Sequence, residues 1–194
     1  MYTVNEPDRT GDVDQKEVIG MRLYARQKYF SFRTVFSILD SNGRVCYTVK
    51  GEIFSLTKKL HVYDNTGREV AVLRGRIIKL LPTYDIFIGG RKAASIAKRL
   101  TLFRPSYVIR DSNWRVEGDF LQHRYSMYDG RRNKVASISK KWLTFGDCFE
   151  LNVPDPDNEV LAVCMMLAID CVMDDQEMSS LSQRHASQNN ENND

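Results

Sequence analysis

The sequence is short of the features that mark most enzymes, secreted scaffolds and membrane spans. It has four cysteines, at 46, 148, 164 and 171, and no C-x-x-C pair. That argues against a disulfide framework and against a redox or metal role. Cys164 and Cys171 fall on one helix face about 10 Å apart along the axis, too far for a bridge. The cysteines therefore read as buried free thiols in a reducing compartment. Three histidines, His61, His123 and His185, show no H-E-x-x-H spacing, and G-x-S-x-G, Walker A and G-x-G-x-x-G motifs are missing. Residues 1–16 are polar and acidic with no apolar core, so no secretory leader is expected. The longest apolar run, 160–169, is half of the roughly 20 residues that a bilayer span needs.

What the sequence does have is a repeat. Phe32-Arg-Thr-Val-Phe-Ser-Ile-Leu-Asp-Ser-Asn-Gly-Arg-Val45 lies over Phe103-Arg-Pro-Ser-Tyr-Val-Ile-Arg-Asp-Ser-Asn-Trp-Arg-Val116 at an offset of 71 residues. Val49-Lys-Gly-Glu-Ile-Phe54 then matches Val116-Glu-Gly-Asp-Phe-Leu121, and Val70-Ala-Val-Leu73 matches Val135-Ala-Ser-Ile138 at an offset of 65. Four segments in order, counting Val62-Tyr-Asp64 over Met127-Tyr-Asp129, indicate duplication with shorter loops in the second copy. Asp-Ser-Asn-Gly at 40–43, Asp-Asn-Thr-Gly at 64–67, Gly89-Gly90 and Asp129-Gly130 are turn chemistry, because Gly and Asn accept positive φ and Asp bonds the backbone ahead of it. Between the turns lie short, alternating Val, Ile, Phe and Tyr runs, the pattern of an all-β sandwich or barrel.

Comparing the copies predicts which face is buried. Phe32, Thr34, Phe36 and Ile38 match Phe103, Pro105, Tyr107 and Ile109, largely apolar in both, and Ala71 and Leu73 match Ala136 and Ile138. These should point inward. The alternate positions, such as Leu39 against Arg110 and Val72 against Ser137, accept polar residues and should meet solvent.

A helix follows the second copy. Asp155 can cap it, Pro156 fits its first position, and Asp157 and Glu159 suit its positive end. Val160-Leu-Ala-Val-Cys-Met-Met-Leu-Ala-Ile169 then carries no polar side chain until Asp170. A helix apolar on all sides must be enclosed, and a run this short is enclosed by protein. A β-barrel plugged by its own helix leaves little room for an internal active site. Residues 1–17 read as a flexible N-terminal segment, 18–173 as the barrel domain, and 174–194 as a disordered acidic tail. The tail carries five acids and one Arg, which leaves +7 on 1–173 against +3 overall.

Several blocks carry a family resemblance: 54–70 (Phe-Ser-Leu-Thr-Lys-Lys-Leu-His-Val-Tyr-Asp-Asn-Thr-Gly-Arg-Glu-Val), 80–90 (Leu-Leu-Pro-Thr-Tyr-Asp-Ile-Phe-Ile-Gly-Gly), 116–120, 137–142 and the closing 167–172. They resemble the LURP-one-related/YxjI family, which groups with Tubby C-terminal domains and phospholipid scramblases. The resemblance spans about residues 18–173 and implies a closed 12-stranded β-barrel around a central hydrophobic helix. It also implies contact with lipid headgroups, since Tubby-type domains bind phosphoinositides. No Tubby headgroup motif, scramblase cysteine cluster or calcium loop is matched residue by residue.

Candidate sites are few. No catalytic residue, metal ligand or cofactor is expected, and the protein reads as non-enzymatic. Glu52, Glu117 and Asp119 beside Gly51 and Gly118 are better explained as solvated acids at kinked strands than as an acid/base pair. Arg74 and Arg76 alternate on one strand, and at the 65-residue offset Gly75 and Arg76 fall on Lys140 and Lys141, with Trp142 adjoining. Arg74, Arg76, Lys140 and Lys141 are the anion or lipid-headgroup candidates; further charge comes from Lys58-Lys59, Arg91-Lys92, Lys98-Arg99 and Arg131-Arg132. A solvated exterior explains the same charges. The partners this reading allows are an anionic membrane surface, a phosphorylated ligand or another protein. Nucleic acid is not expected, since no helix-turn-helix, zinc finger or stacking pattern is present. The location expected is cytoplasmic, with a peripheral position at a membrane as its extension.

Overall fold

Alternating runs punctuated by Asp-x-x-Gly turns favour strands that fold back on their neighbours. The structure is a computed structural model that describes residues 20–26, 35–52, 58–78, 81–99, 106–143 and 146–191. Twelve strands follow in order: β1 (Met21–Arg26), β2 (Val35–Asp40), β3 (Val45–Glu52), β4 (Lys59–Asp64), β5 (Glu69–Ile78), β6 (Leu81–Ile88), β7 (Arg91–Arg99), β8 (Ser106–Arg110), β9 (Arg115–Asp119), β10 (Arg124–Tyr128), β11 (Lys134–Leu143) and β12 (Gly146–Val153). One helix, α1 (Glu159–Glu191), ends the chain. The strands form a single antiparallel sheet in the order β8-β7-β6-β5-β4-β3-β2-β1-β12-β11-β10-β9. β1 joins the halves by pairing with both β12 and β2, Met21 opposite Val153 and Leu23 opposite Asp40. The duplication maps β1–β6 onto β7–β12, so equivalent strands lie six apart around the sheet. The result is a nearly closed barrel, open among the described residues between β8 and β9.

That opening has a local cause. After β2 the turn is fastened by Asp40, whose Oδ1 accepts from Asn42 N (2.8 Å) and Arg44 N (2.9 Å), with Gly43 at φ 78°. The turn after β4 repeats this with Asp64 and Gly67 (φ 83°). The turn after β10 repeats it with Asp129, but there Arg132, not Gly130, takes the left-handed position, at φ 70°. Each of these hairpins has a register shift just before its turn, the bulge that follows a left-handed residue. In the turn after β8 the equivalent of Gly43 is Trp114, 8% exposed, and Asp111 takes the positive φ (63°) instead. A bulky residue disfavours the left-handed conformation, the bulged hairpin is not made, and no ladder joins β8 to β9 among the described residues. The twin pair, β2 and β3, is paired from Val35 opposite Lys50 to Leu39 opposite Val45.

The inward set of residues matches the sequence reading. Phe36, Ile38, Ala71, Leu73, Ala136 and Ile138 are buried, and Tyr107 and Ile109 are partly buried against the core. Val35 and Arg110 are exposed, and Val72 and Ser137 intermediate. Phe32, Thr34, Phe103, Pro105, residues 1–17 and the side chains of Trp142 and His185 lie outside the described residues.

Helix α1 threads the barrel. Asp155 caps a 3-10 turn at Pro156–Asn158 by accepting from Asp157 N at 3.0 Å, and the helix proper starts at Glu159. Ala162 to Val172 are all buried, Asp170 included. The enclosed part of the helix is held at both ends by phenols. Tyr47 donates to Glu159 at 2.6 Å where it enters. Tyr84 donates to Asp175 at 2.9 Å where it leaves, and Lys58 pairs with the same carboxylate. Tyr84 lies across Gly75, its cross-strand partner; a Cβ there would meet the ring at 2.9 Å. The helix continues past Met173 to Glu191, where the sequence reading placed a disordered tail. Gln, Glu, Met, Leu, Arg and Ala in that stretch are adequate helix formers, and a helix already nucleated in the barrel propagates at low cost.

Candidate anion-binding surface

The helix occupies the barrel axis, so the basic candidates are sought on the outside. Around the far part of α1, His123, Tyr125, Phe149, Met166, Ile169, Asp170 and Met173 border a crevice with no room for a water molecule. Among the described residues no group of three His, Cys, Asp or Glu side chains is placed to hold a metal ion. The cysteines are free, and burial pushes the Cys164 thiol up to about 12. The acids at the glycine-bearing strands do not converge: Glu52 is on β3 and Glu117 and Asp119 on β9, six strands away. Glu52 binds Lys59 Nζ (3.1 Å) and His61 Nε2 (2.8 Å), which hold its carboxyl below the ordinary range. His61 Nδ1 also meets Glu69 at 2.6 Å, and the His123 ring packs on Phe149. Both histidines are engaged structurally.

The four basic candidates do not form one site. Arg74 and Arg76 both project outward from β5, as their alternation predicts. Arg74 stacks on Phe87, 4.8 Å from the ring centroid. Arg76 grips Asp85 through Nε (2.6 Å) and Nη2 (2.9 Å). Lys92 meets Asp85 at 3.1 Å and Asp111 at 2.8 Å. Burial opposes ionisation of Asp85, but the bonds from Arg76, Lys92 and Ser95 outweigh it and hold the carboxyl below its ordinary value. The exposed Arg76 is therefore already paired with a carboxylate of the neighbouring strand. Lys140 and Lys141 sit on β11, six strands from β5. Lys140 is half-buried opposite Phe149, on the core side, whereas Lys141 is exposed and 3.5 Å from Glu150. Duplication carries equivalent positions to opposite parts of the barrel, so matching the copies gave two separate places.

A denser group of bases lies elsewhere. In an antiparallel meander the turns after β2, β4, β6, β8 and β10 share one end of the barrel, the end where α1 enters. Three of them are tied together. Lys92 reaches Asp111, Arg115 Nη1 donates to Asp129 O at 3.3 Å, and the side chain of Asn113 crowds Gly130, 3.1 Å from where a Cβ would stand. Arg115 also lies over the Tyr128 ring and pairs with Glu117 at 2.6 Å. Around this platform Arg91, Arg110, Arg131, Arg132 and Lys134 are exposed. Arg91, Arg110, Arg132 and Lys134 make no ion pair among the described residues. The sequence showed Arg91 and Arg131-Arg132 only as scattered charges; the parity of the turns was the signal that would have grouped them.

Known proteins agree with this architecture. The family model described as LURP-one-related matches residues 21–170. A Bacillus subtilis (strain 168) protein named "Uncharacterized protein YxjI" is 30% identical over 161 residues, 83% of this chain and 99% of its own length. The Arabidopsis thaliana "Protein LURP-one-related 15" is 23% identical over 116 residues, 53% of this chain and 54% of that protein. The X-ray structure of an Arabidopsis thaliana protein superimposes with a TM-score of 0.55 at 22% identity, covering 78% of this chain and 90% of that one, which shows the shared fold. No helix of the described residues is long and apolar enough to cross a membrane. With its fold and nearly all of the barrel and plug inside the matched span, the chain belongs to the LURP-one-related family.

Proposed function

We propose that the domain is a non-enzymatic binding module for phosphate-bearing anions, met at the rim formed by the turns after β6, β8 and β10. The observation that carries this reading is the tied platform itself, whose four bases have no ion pair among the described residues. The rim is held by Lys92 with Asp111, Arg115 with Asp129, and Asn113 against Gly130, so ordering it costs the ligand little. Arg74, Arg76, Lys140 and Lys141 serve as weaker, separate contributors, because Asp85 and Glu150 already draw on Arg76 and Lys141. At an anionic surface each exposed base contributes about 1 kcal/mol. Arg91→Gln/Arg132→Gln should then weaken binding by about 2 kcal/mol, roughly 30-fold.

The test measures cosedimentation with vesicles of phosphatidylserine in phosphatidylcholine, and in parallel calorimetric titration with inorganic pyrophosphate. Vesicle binding alone identifies a headgroup surface; pyrophosphate binding identifies a soluble phosphate ligand. The reading requires loss in Arg91→Gln/Arg132→Gln and a smaller loss in Arg74→Gln/Arg76→Gln. Absence of both interactions at low salt, or equal losses in the two variants, removes it. A second reading, recognition of another protein, is favoured by the opening between β8 and β9.

A further inference from the structure

We propose that the cleft between β8 and β9 accepts an extended peptide of a partner protein, which adds to the edge of β9 as a strand. An open edge presents unpaired backbone donors and acceptors, and recognition by strand addition uses such an edge with side-chain pockets beside it. Strand β9 has such an edge among the described residues, with aromatic and apolar side chains beside it. Aromatic rings adjoin it: Tyr107 of β8 meets Phe120, just past β9, edge-on with centroids 4.6 Å apart, and Phe120 meets Tyr125 at 5.2 Å. Ser106 Oγ and Tyr107 OH are buried with no hydrogen-bond partner among the described residues. Tyr107 and Ile109 remain partly exposed where their twins, Phe36 and Ile38, are buried. Leu121, just past β9, is 69% exposed.

The duplication indicates what fits. The edge of β3, twin of β9, is covered by β2, running antiparallel with Phe36 opposite Val49 and Ile38 opposite Tyr47. The same direction on β9 brings the peptide's last residue to the turn at 111–114. In the twin, that residue is Asp40, paired with Arg44 at 2.8 Å. The charge to receive it is exposed Arg110, which makes no ion pair among the described residues, since Arg115, the equivalent of Arg44, is already paired with Glu117. The occupant is therefore a strand with apolar residues at alternate positions and a carboxylate at its C-terminal end.

The probe is a labelled synthetic peptide copying residues 35–40, Val-Phe-Ser-Ile-Leu-Asp, titrated into the full chain by fluorescence anisotropy, with amide hydrogen exchange followed on residues 106–119. The expected result is saturable binding about tenfold tighter than for a scrambled peptide, with new protection of β8 and β9 amides. Arg110→Glu should weaken the Asp-ended peptide and favour one ended in Lys. No binding, binding without protection of these amides, or indifference to the charge exchange overturns the proposal. Strong protection of both edges in the free chain overturns it too, because the cleft would then already be occupied by the protein's own chain.

Discussion

The bond between Tyr47 and Glu159 gives a sharp test of how the helix is seated. Both residues are 7% exposed, and the phenol donates to the carboxylate at 2.6 Å, the short length of a charge-assisted bond. Burial, and then the bond to Glu159, raises the Tyr47 pKa, so the hydroxyl keeps its proton and stays the donor. Tyr47→Phe removes that donor without changing ring volume. A hydrogen bond to a charged group is worth about 1.5–3 kcal/mol, and a buried acceptor left without a partner adds to the loss. The expected destabilisation is about 2–4 kcal/mol, a large part of the roughly 5–15 kcal/mol available to a domain. Urea unfolding followed by tryptophan fluorescence and circular dichroism measures it, with the m-value checked for constancy. The cycle with Glu159→Ala, which removes the acceptor, isolates the pair and should give a coupling of about 1 kcal/mol or more. A loss under about 0.5 kcal/mol in Tyr47→Phe, or a coupling near zero, would mean that water satisfies Glu159 and that the helix entrance is open.

Other substitutions probe other parts of the barrel. Gly75→Ala should cost about 1–3 kcal/mol by driving a methyl into the Tyr84 ring, and Tyr84→Leu should recover part of it; urea midpoints report both. Arg132→Gly should raise thermal stability by up to about 1 kcal/mol, because the left-handed backbone at φ 70° is relieved, whereas Gly67→Ala should lower it by a similar amount. Asp85 supplies a pH signature. Its folded carboxyl is lower than in the unfolded chain, so its contribution is full above the unfolded value of about 4 and is lost as pH falls through the folded one. Arg76→Ala should shrink this acid-side loss, and an unchanged slope of stability against pH below about 4 would refute the role given to the pair.

Much of the architecture is written in local chemistry. Asp155 and Pro156 announce the helix start, the polar-free run at 160–169 announces enclosure, and divergence between copies at Val72 and Ser137 marks the outer face. What escapes local reading depends on partners distant in sequence. Gly130 looks like the special residue of its turn, yet hydrogen bonds to Asp129 place the left-handed backbone at Arg132. Trp114 stands visibly where the first copy has Gly43, but its consequence is a missing ladder between whole strands. Arg76 and Lys141 match in the duplicated sequence, and the same symmetry sets them apart in space. The end of α1 escaped because polarity argued for disorder, while continuity with the enclosed turns favoured a longer helix.

One rod shared by two copies cannot touch both in the same way. Its packing favours β5, β6 and β7 over β11 and β12, and the inner surface has diverged to suit. Where one copy keeps Gly75 beneath Tyr84, the other sets Lys140 opposite Phe149. The copies have thus diverged where they meet the axle, which leans on the end of the first and the start of the second, and it is within the second that the circle of strands stays unfastened.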